Sequence, residues 1–148
     1  MTKIITKNVL ETENIGFKIG QAVKDNAVIA MFGDLGAGKT AFVRGFTKGR
    51  GINADVSSPT FALVNEYRGG GKTVYHFDMY RINGWDDLYS TGYFDYLDVG
   101  ACLVIEWSEN IEAVLPEDCI RITINKTDDF NERIITVTGD ECIENIGS

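Results

Sequence analysis

Residues 27 to 48 constrain this chain more than any other stretch. An apolar run, Ala27-Val28-Ile29-Ala30-Met31-Phe32, leads without a break into Gly33-Asp34-Leu35-Gly36-Ala37-Gly38-Lys39-Thr40, and a helix-compatible segment continues to about Lys48. A continuous apolar run suits a strand buried on both faces of a sheet. The eight residues that follow match G-x-x-x-x-G-K-[ST] at Gly33, Gly38, Lys39 and Thr40, with a further glycine at Gly36. Glycines permit backbone angles that a Cβ would forbid, so the successive N–H groups of Asp34, Leu35, Gly36, Ala37 and Gly38 can point at phosphate oxygens. The helix N-terminus behind Gly38 adds partial positive charge. Lys39 carries a full charge to the β- and γ-phosphates, and the Thr40 hydroxyl suits Mg²⁺. The expectation is a phosphate-binding loop for a magnesium nucleoside triphosphate, set between a buried strand and a helix.

The remaining bulk properties narrow the setting. With 148 residues, 44% hydrophobic and 24% charged, the chain is long enough for one domain with a real core and too short for two. It contains no apolar run of about 18 residues, and Met-Thr-Lys-Ile-Ile-Thr-Lys does not read as a signal peptide, so a cytosolic protein with no membrane association is expected. Cys102, Cys119 and Cys142 form no C-x-x-C pair and read as buried or incidental thiols, and the lone His76 argues against a histidine-rich metal site. A formal net charge of −8 does not suit direct phosphate-backbone binding, so any link to RNA or DNA is expected to run through a partner.

Patterning gives an α/β sandwich with a mainly parallel central sheet and antiparallel additions. Strands are expected at 3–6, 27–32, 61–68, 72–78, 101–107, 119–125 and 133–138, with Gly69-Gly70-Gly71 turning a hairpin. A first helix follows Thr12, read as its cap, and another begins near Asp86. Ser108 is read as the cap of a short helix ending before Pro116, and the tail after about residue 139 carries no pattern.

Two carboxylates end apolar strands, Asp78 after Thr-Val-Tyr-His-Phe and Glu106 after Cys-Leu-Val-Ile. A carboxylate in that position needs a cation or hydrogen bonds, and a phosphate loop needs a neighbouring acid to hold its magnesium. Val56-Ser57-Ser58-Pro59-Thr60-Phe61 lies where nucleotide switches place a hydroxyl-bearing loop that responds to the γ-phosphate.

Taken together, Gly-Asp-Leu-Gly-Ala-Gly-Lys-Thr at 33–40, Ser-Pro-Thr-Phe at 58–61, His-Phe-Asp-Met-Tyr-Arg at 76–81 and Ile-Glu-Trp at 105–107 resemble the bacterial TsaE (YjeE) ATPases. The resemblance runs from about Thr12 to Arg133. It implies a cytosolic protein that binds ATP or ADP with Mg²⁺. It also implies that this protein supports threonylcarbamoyladenosine modification of tRNA together with the TsaB and TsaD proteins, supplying ATP hydrolysis while TsaD performs the transfer. Thr40 and Glu106 match the family's magnesium positions, and Asp78 matches a water-positioning or outer-sphere acid. Thr60 falls in the switch-like segment, and Trp107 stands beside the metal-site glutamate. The base is expected near Val9 to Thr12 and near the turn from Asp129 to Arg133.

Rival readings remain at this stage. Asn125-Lys126-Thr127-Asp128 spells Asn-Lys-x-Asp, the pattern with which GTPases read guanine, yet Asp-Met-Tyr-Arg stands where such enzymes carry Asp-x-x-Gly. A small-molecule kinase would need an arginine-bearing lid, and Arg44 and Arg81 are isolated. A nucleotide-gated docking protein with incidental hydrolysis is the third.

Overall fold

The computed structural model describes residues 1–34, 36–57, 59, 64–139 and 141–147. Its strands are β1 (Thr2–Thr6), β2 (Val28–Gly33), β3 (Val64–Gly69), β4 (Lys72–Asp78), β5 (Cys102–Glu106), β6 (Ile120–Lys126) and β7 (Arg133–Thr138). They form one sheet in the order β1-β7-β6-β2-β5-β4-β3. The four central strands, β6, β2, β5 and β4, are parallel. β7 and β1 extend one edge antiparallel, and β3 closes the other as a hairpin with β4. The α/β class read from the sequence is the class observed.

Side-chain alternation divides the core in two. On β5, all of whose residues are buried, Cys102 and Val104 face one layer, whereas Leu103 and Ile105 face the other. The first layer holds α1 (Val9–Ala22) and α2 (Lys39–Gly49). The second holds α3 (Trp85–Ser90), α4 (Tyr93–Asp98) and a 3₁₀ helix (Ser108–Val114). Phe42 and Phe46 of α2 are fully buried, and each stabilises the fold by about 1.5–3 kcal/mol relative to exposure.

Helices α1 and α2 meet backbone to backbone. Gly16 and Gly20 abut the carbonyls of Phe42 and Phe46, while Gly45 and Gly49 abut those of Glu13 and Phe17. A Cβ at any of the four would overlap a main-chain oxygen. Each pair is spaced i, i+4, which puts both glycines on one helix face. α2 begins directly behind the glycine loop, so this contact seats the loop against α1.

Several boundaries differ from the pattern reading. Asn8, not Thr12, caps α1, its Oδ1 accepting from the Glu11 amide at 2.9 Å. Thr12 lies one turn inside, buried, its hydroxyl sharing a 2.7 Å hydrogen bond with that of Thr6. Trp107 occupies the cap position of the 3₁₀ helix, and the Ser108 hydroxyl instead donates to the Ile105 carbonyl at 2.8 Å. β3 starts at Val64; the expected Phe61 start lies outside the described residues. The tail adds a short helix, α5 (Glu141–Glu144), and buries Ile143 in the first core. Cys102 and Cys119 are free, buried thiols, and burial pushes Cys102 up to about 11.

Candidate functional site

The glycine loop is held at both ends. At its start, Gly33 has φ +117°, and a side chain there would strike the Ile124 carbonyl. The Asp34 amide donates to that same carbonyl at 3.2 Å, and the Asp34 carboxylate accepts from the Lys126 amide at 3.0 Å. That amide, with the Asn125 side chain second, holds Asp34 below the usual carboxylate range. The Lys126 side chain runs beside Gly36. At the far end, Arg133 Nε donates to the Ala37 carbonyl at 3.0 Å, and the Thr12 methyl lies beside Gly38. Gly38, with φ +99°, turns the chain into α2, whose first bond runs from the Phe42 amide to the Gly38 carbonyl at 3.1 Å.

Lys39 is buried, and its ammonium donates to the Gly33 carbonyl at 3.0 Å. The same ammonium stands 4.7 Å from the centroid of the Trp107 ring, a cation–π contact. Trp107 is the only described non-glycine residue with positive φ, at 58°, a conformation that costs energy unless its surroundings fix it. Its ring also packs on Tyr80, centroids 4.9 Å apart.

Gly36 to Thr40 line a cavity of about 440 Å³ together with Asp78, Tyr80, Glu106 and Trp107. The cavity opens at the carboxyl ends of β2, β5 and β4, where open parallel sheets place their ligands. In the parallel register Asp78 and Glu106 are direct neighbours, so two acids line the cavity side by side, with Lys39 also in its lining. Their environments differ. Asp78 is half-buried; burial and, secondarily, the neighbouring Glu106 charge push its carboxyl up, against the lowering effect of the Tyr80 amide that donates to it at 2.9 Å.

Glu106 is 6% exposed, and its Oε2 is hydrogen-bonded to His76 Nε2. His76 is fully buried and shares a 3.0 Å hydrogen bond through Nδ1 with the Tyr67 hydroxyl. That hydroxyl in turn donates to the Ser57 carbonyl at 3.0 Å, which also receives the Asn65 amide at 3.0 Å.

The structure therefore brings Gly33, Asp34, Gly36, Ala37, Gly38, Lys39, Thr40, Asp78 and Glu106 into one site, with Thr12 and Arg133 against the loop. Leu35 and Thr60 lie outside the described residues. Val9 is an exposed residue at the start of α1, and Asp129 belongs to an exposed turn closed by Thr127 and Asn131, so neither touches the loop in the contacts observed. The pattern reading missed His76 and Tyr67. Alternation along β4 did contain the signal, since His76 falls between Val74 and Asp78 on one face.

Chemically, the loop offers a lysine and a turn of backbone amides suited to an anion. The same cavity is lined by the buried Glu106 carboxylate and by Thr40, whose oxygens are of a kind suited to a small hard cation. Among the described residues no group of three or more acids, histidines and cysteines surrounds a metal-sized space. No helix is long and apolar enough to cross a membrane among the described residues.

A family model for "Threonylcarbamoyl adenosine biosynthesis protein TsaE" matches residues 6–135. Three curated relatives carry the name tRNA threonylcarbamoyladenosine biosynthesis protein TsaE. The Bacillus subtilis protein is 41% identical over 134 residues, covering 90% of this chain and 82% of its own. The Treponema pallidum protein is 34% identical over 133 residues, covering 89% and 97%. The Haemophilus influenzae protein is 43% identical over 102 residues; that match spans 69% of this chain and 65% of the relative's length. The crystal structure of YdiB from Bacillus subtilis superposes with a TM-score of 0.75 at 36% identity, covering 93% of this chain and 84% of that one.

Proposed function

This chain belongs to the TsaE family of threonylcarbamoyl adenosine biosynthesis proteins, and from that premise we propose that it is a magnesium-dependent ATPase serving that pathway. The observation that carries the reading is the meeting of Lys39, Thr40, Glu106 and Asp78 in the lining of one cavity of about 440 Å³. The loop amides and Lys39 hold the β- and γ-phosphates. Thr40 and Glu106 would hold Mg²⁺, which when bound would supply charge neutralisation for phosphoryl transfer. Asp78, pushed up by burial, would orient the attacking water. The Trp107 ring, packed on Tyr80, contacts the Lys39 ammonium, so a bound triphosphate would take over the charge that this ring meets in this structure.

The reading extends to a cytoplasmic setting and to partners. A net charge of −8 disfavours direct tRNA binding, so the work on tRNA is done through the TsaB and TsaD proteins, with hydrolysis here driving repeated turnover. The experiment is a modification assay with TsaB, TsaD, tRNA and ATP under multiple-turnover conditions. Adding this protein raises turnover, and adding a Lys39→Ala variant does not. Equal turnover in both, with the wild type shown to bind ATP, overturns the pathway role but not the nucleotide site. Absence of ATP binding overturns both.

A further inference from the structure

We propose that His76 and Tyr67 are positioning residues for the cation ligand Glu106, and that they couple it to the backbone at Ser57. The inference rests on the magnesium reading of the site and adds two residues to it. The hydrogen-bonded series runs sideways across three strands, from Glu106 on β5 to His76 on β4 to Tyr67 on β3, and ends on the Ser57 carbonyl. All of its side chains lie on the α2 side of the sheet, since Tyr67, Val74 and Val104 pack in that core and Glu106 follows Val104 by two.

A buried imidazole is costly unless both nitrogens are engaged. Here both are, one by a carboxylate that lines the cavity and the other by a phenol. Binding of Glu106 through Oε2 fixes the rotation of its carboxylate and leaves Oε1 for another partner. Outer partners of this kind orient the ligands of a metal, and losing them weakens metal affinity by about 10–100-fold. Tyr67 has a second task. Its hydroxyl and the Asn65 amide converge on one carbonyl, that of Ser57, immediately before Ser58-Pro59-Thr60-Phe61 in the sequence. The orientation of the cation ligand and the position of the chain entering that segment therefore share one hydroxyl.

Calorimetry of the full-length protein with ADP, in EDTA and in excess MgCl₂, tests this. For the wild type, magnesium tightens ADP binding. Tyr67→Phe removes only the hydroxyl; we expect it to lose roughly ten-fold of the magnesium-dependent gain, with the affinity in EDTA changed by less than about three-fold because the loop amides and Lys39 supply it. His76→Gln retains an amide donor toward Glu106 and keeps more of the gain than His76→Ala, which gives a second measurement if one variant folds poorly. A Tyr67→Phe protein with the full wild-type magnesium gain overturns the proposal. Equal weakening with and without magnesium also overturns it, since that is the signature of a merely structural contact. A wild type that binds ADP with no magnesium gain removes the cation reading and this inference with it, while leaving the phosphate loop intact.

Discussion

The two faces of the sheet are packed by opposite means. On one, α1 and α2 touch through Gly16, Gly20, Gly45 and Gly49, main chain on main chain. On the other, short α3 and α4 are filled out by aromatic rings, with Tyr93 fully buried and its hydroxyl donating to the Val114 carbonyl at 2.9 Å. Trp85 and Tyr89 there remain 60% and 64% exposed. The first face carries the glycine loop and has no slack, because a methyl group would have to displace backbone. The second tolerates adjustment, because ring contacts can shift. Rigidity is concentrated beside the glycine loop, where the proposed reading needs several amides to meet one anion at once.

The largest expected effect comes from breaking the tight face. Helix propensity alone favours Gly45→Ala by about 1 kcal/mol. The added Cβ overlaps the Glu13 carbonyl, and overpacking into backbone costs about 3 kcal/mol or more, so packing wins. Gly45→Ala should lower the melting temperature by many degrees, while Trp85→Ala on the open face should cost under about 1 kcal/mol. Urea melts of both variants check it. A stabilised Gly45→Ala protein would show that the two helices have slack after all.

The next effect separates the loop from the fold that carries it. Lys39 contacts the Gly33 carbonyl and the Trp107 ring but fills no core position. Lys39→Ala should leave the circular dichroism spectrum intact and weaken ATP binding by about 100-fold, in line with loss of a charged hydrogen bond to phosphate. Near-normal affinity in the folded variant would remove the phosphate-loop assignment.

A smaller effect distinguishes the two rim carboxylates. Burial raises the Asp78 pKa above its ordinary 3.8. A raised acid contributes stability in full below 3.8, and that contribution is lost as pH rises through the folded-state value. At neutral pH the ionised group is therefore a net cost. Asp78→Asn keeps an oxygen for the Tyr80 amide and removes the charge. The variant should be more stable than wild type at pH 7, by under about 1 kcal/mol after solvent screening, with the advantage fading as pH falls toward 3.8. Its hydrolysis rate should drop sharply. Melting temperature against pH, alongside turnover, measures both; an advantage that grows on acidification would reverse the sign assigned here.

What the sequence showed and what it hid follow from how local each signal is. The glycine loop, the apolar runs of β2 and β5 and the acids at strand ends are all local, and each was legible. The cap of α1 was misplaced because Asn8 and Thr12 offer the same chemistry; the bond from the Glu11 amide to Asn8, and that between Thr12 and Thr6, decide between them. α4 was missed because Tyr93-Phe94-Asp95-Tyr96-Leu97-Asp98 is short and aromatic and has no helical period to read. The glycine pairs of α1 and α2, and the series from Glu106 to Ser57, are relations between distant segments. Their members were visible one by one, but their partners were not.

The smallest expected effect concerns the base, where the tight face also bears on the rival reading. Asn125 and Lys126 belong to β6, and their interactions with Asp34 tie that strand to the phosphate loop. Asp128 lies beyond them in the exposed turn before β7. A guanine reader would use Asp128 for paired hydrogen bonds that adenine cannot return, and a site built on such bonds discriminates by roughly 10⁴. Asparagine and aspartate between two antiparallel strands are also favoured for turn-making alone. Loop-holding by Asn125 and Lys126, with turn-making by Asp128, accounts for the same four residues without any base. ADP and ATP should then bind at least as well as GDP and GTP, and Asp128→Ala should leave ATP affinity within a few-fold. Calorimetry with all four nucleotides on both proteins decides it. A strong GDP preference that disappears in Asp128→Ala would make this a guanine switch, and the link between Asp34 and β6 would then be part of its base-reading apparatus.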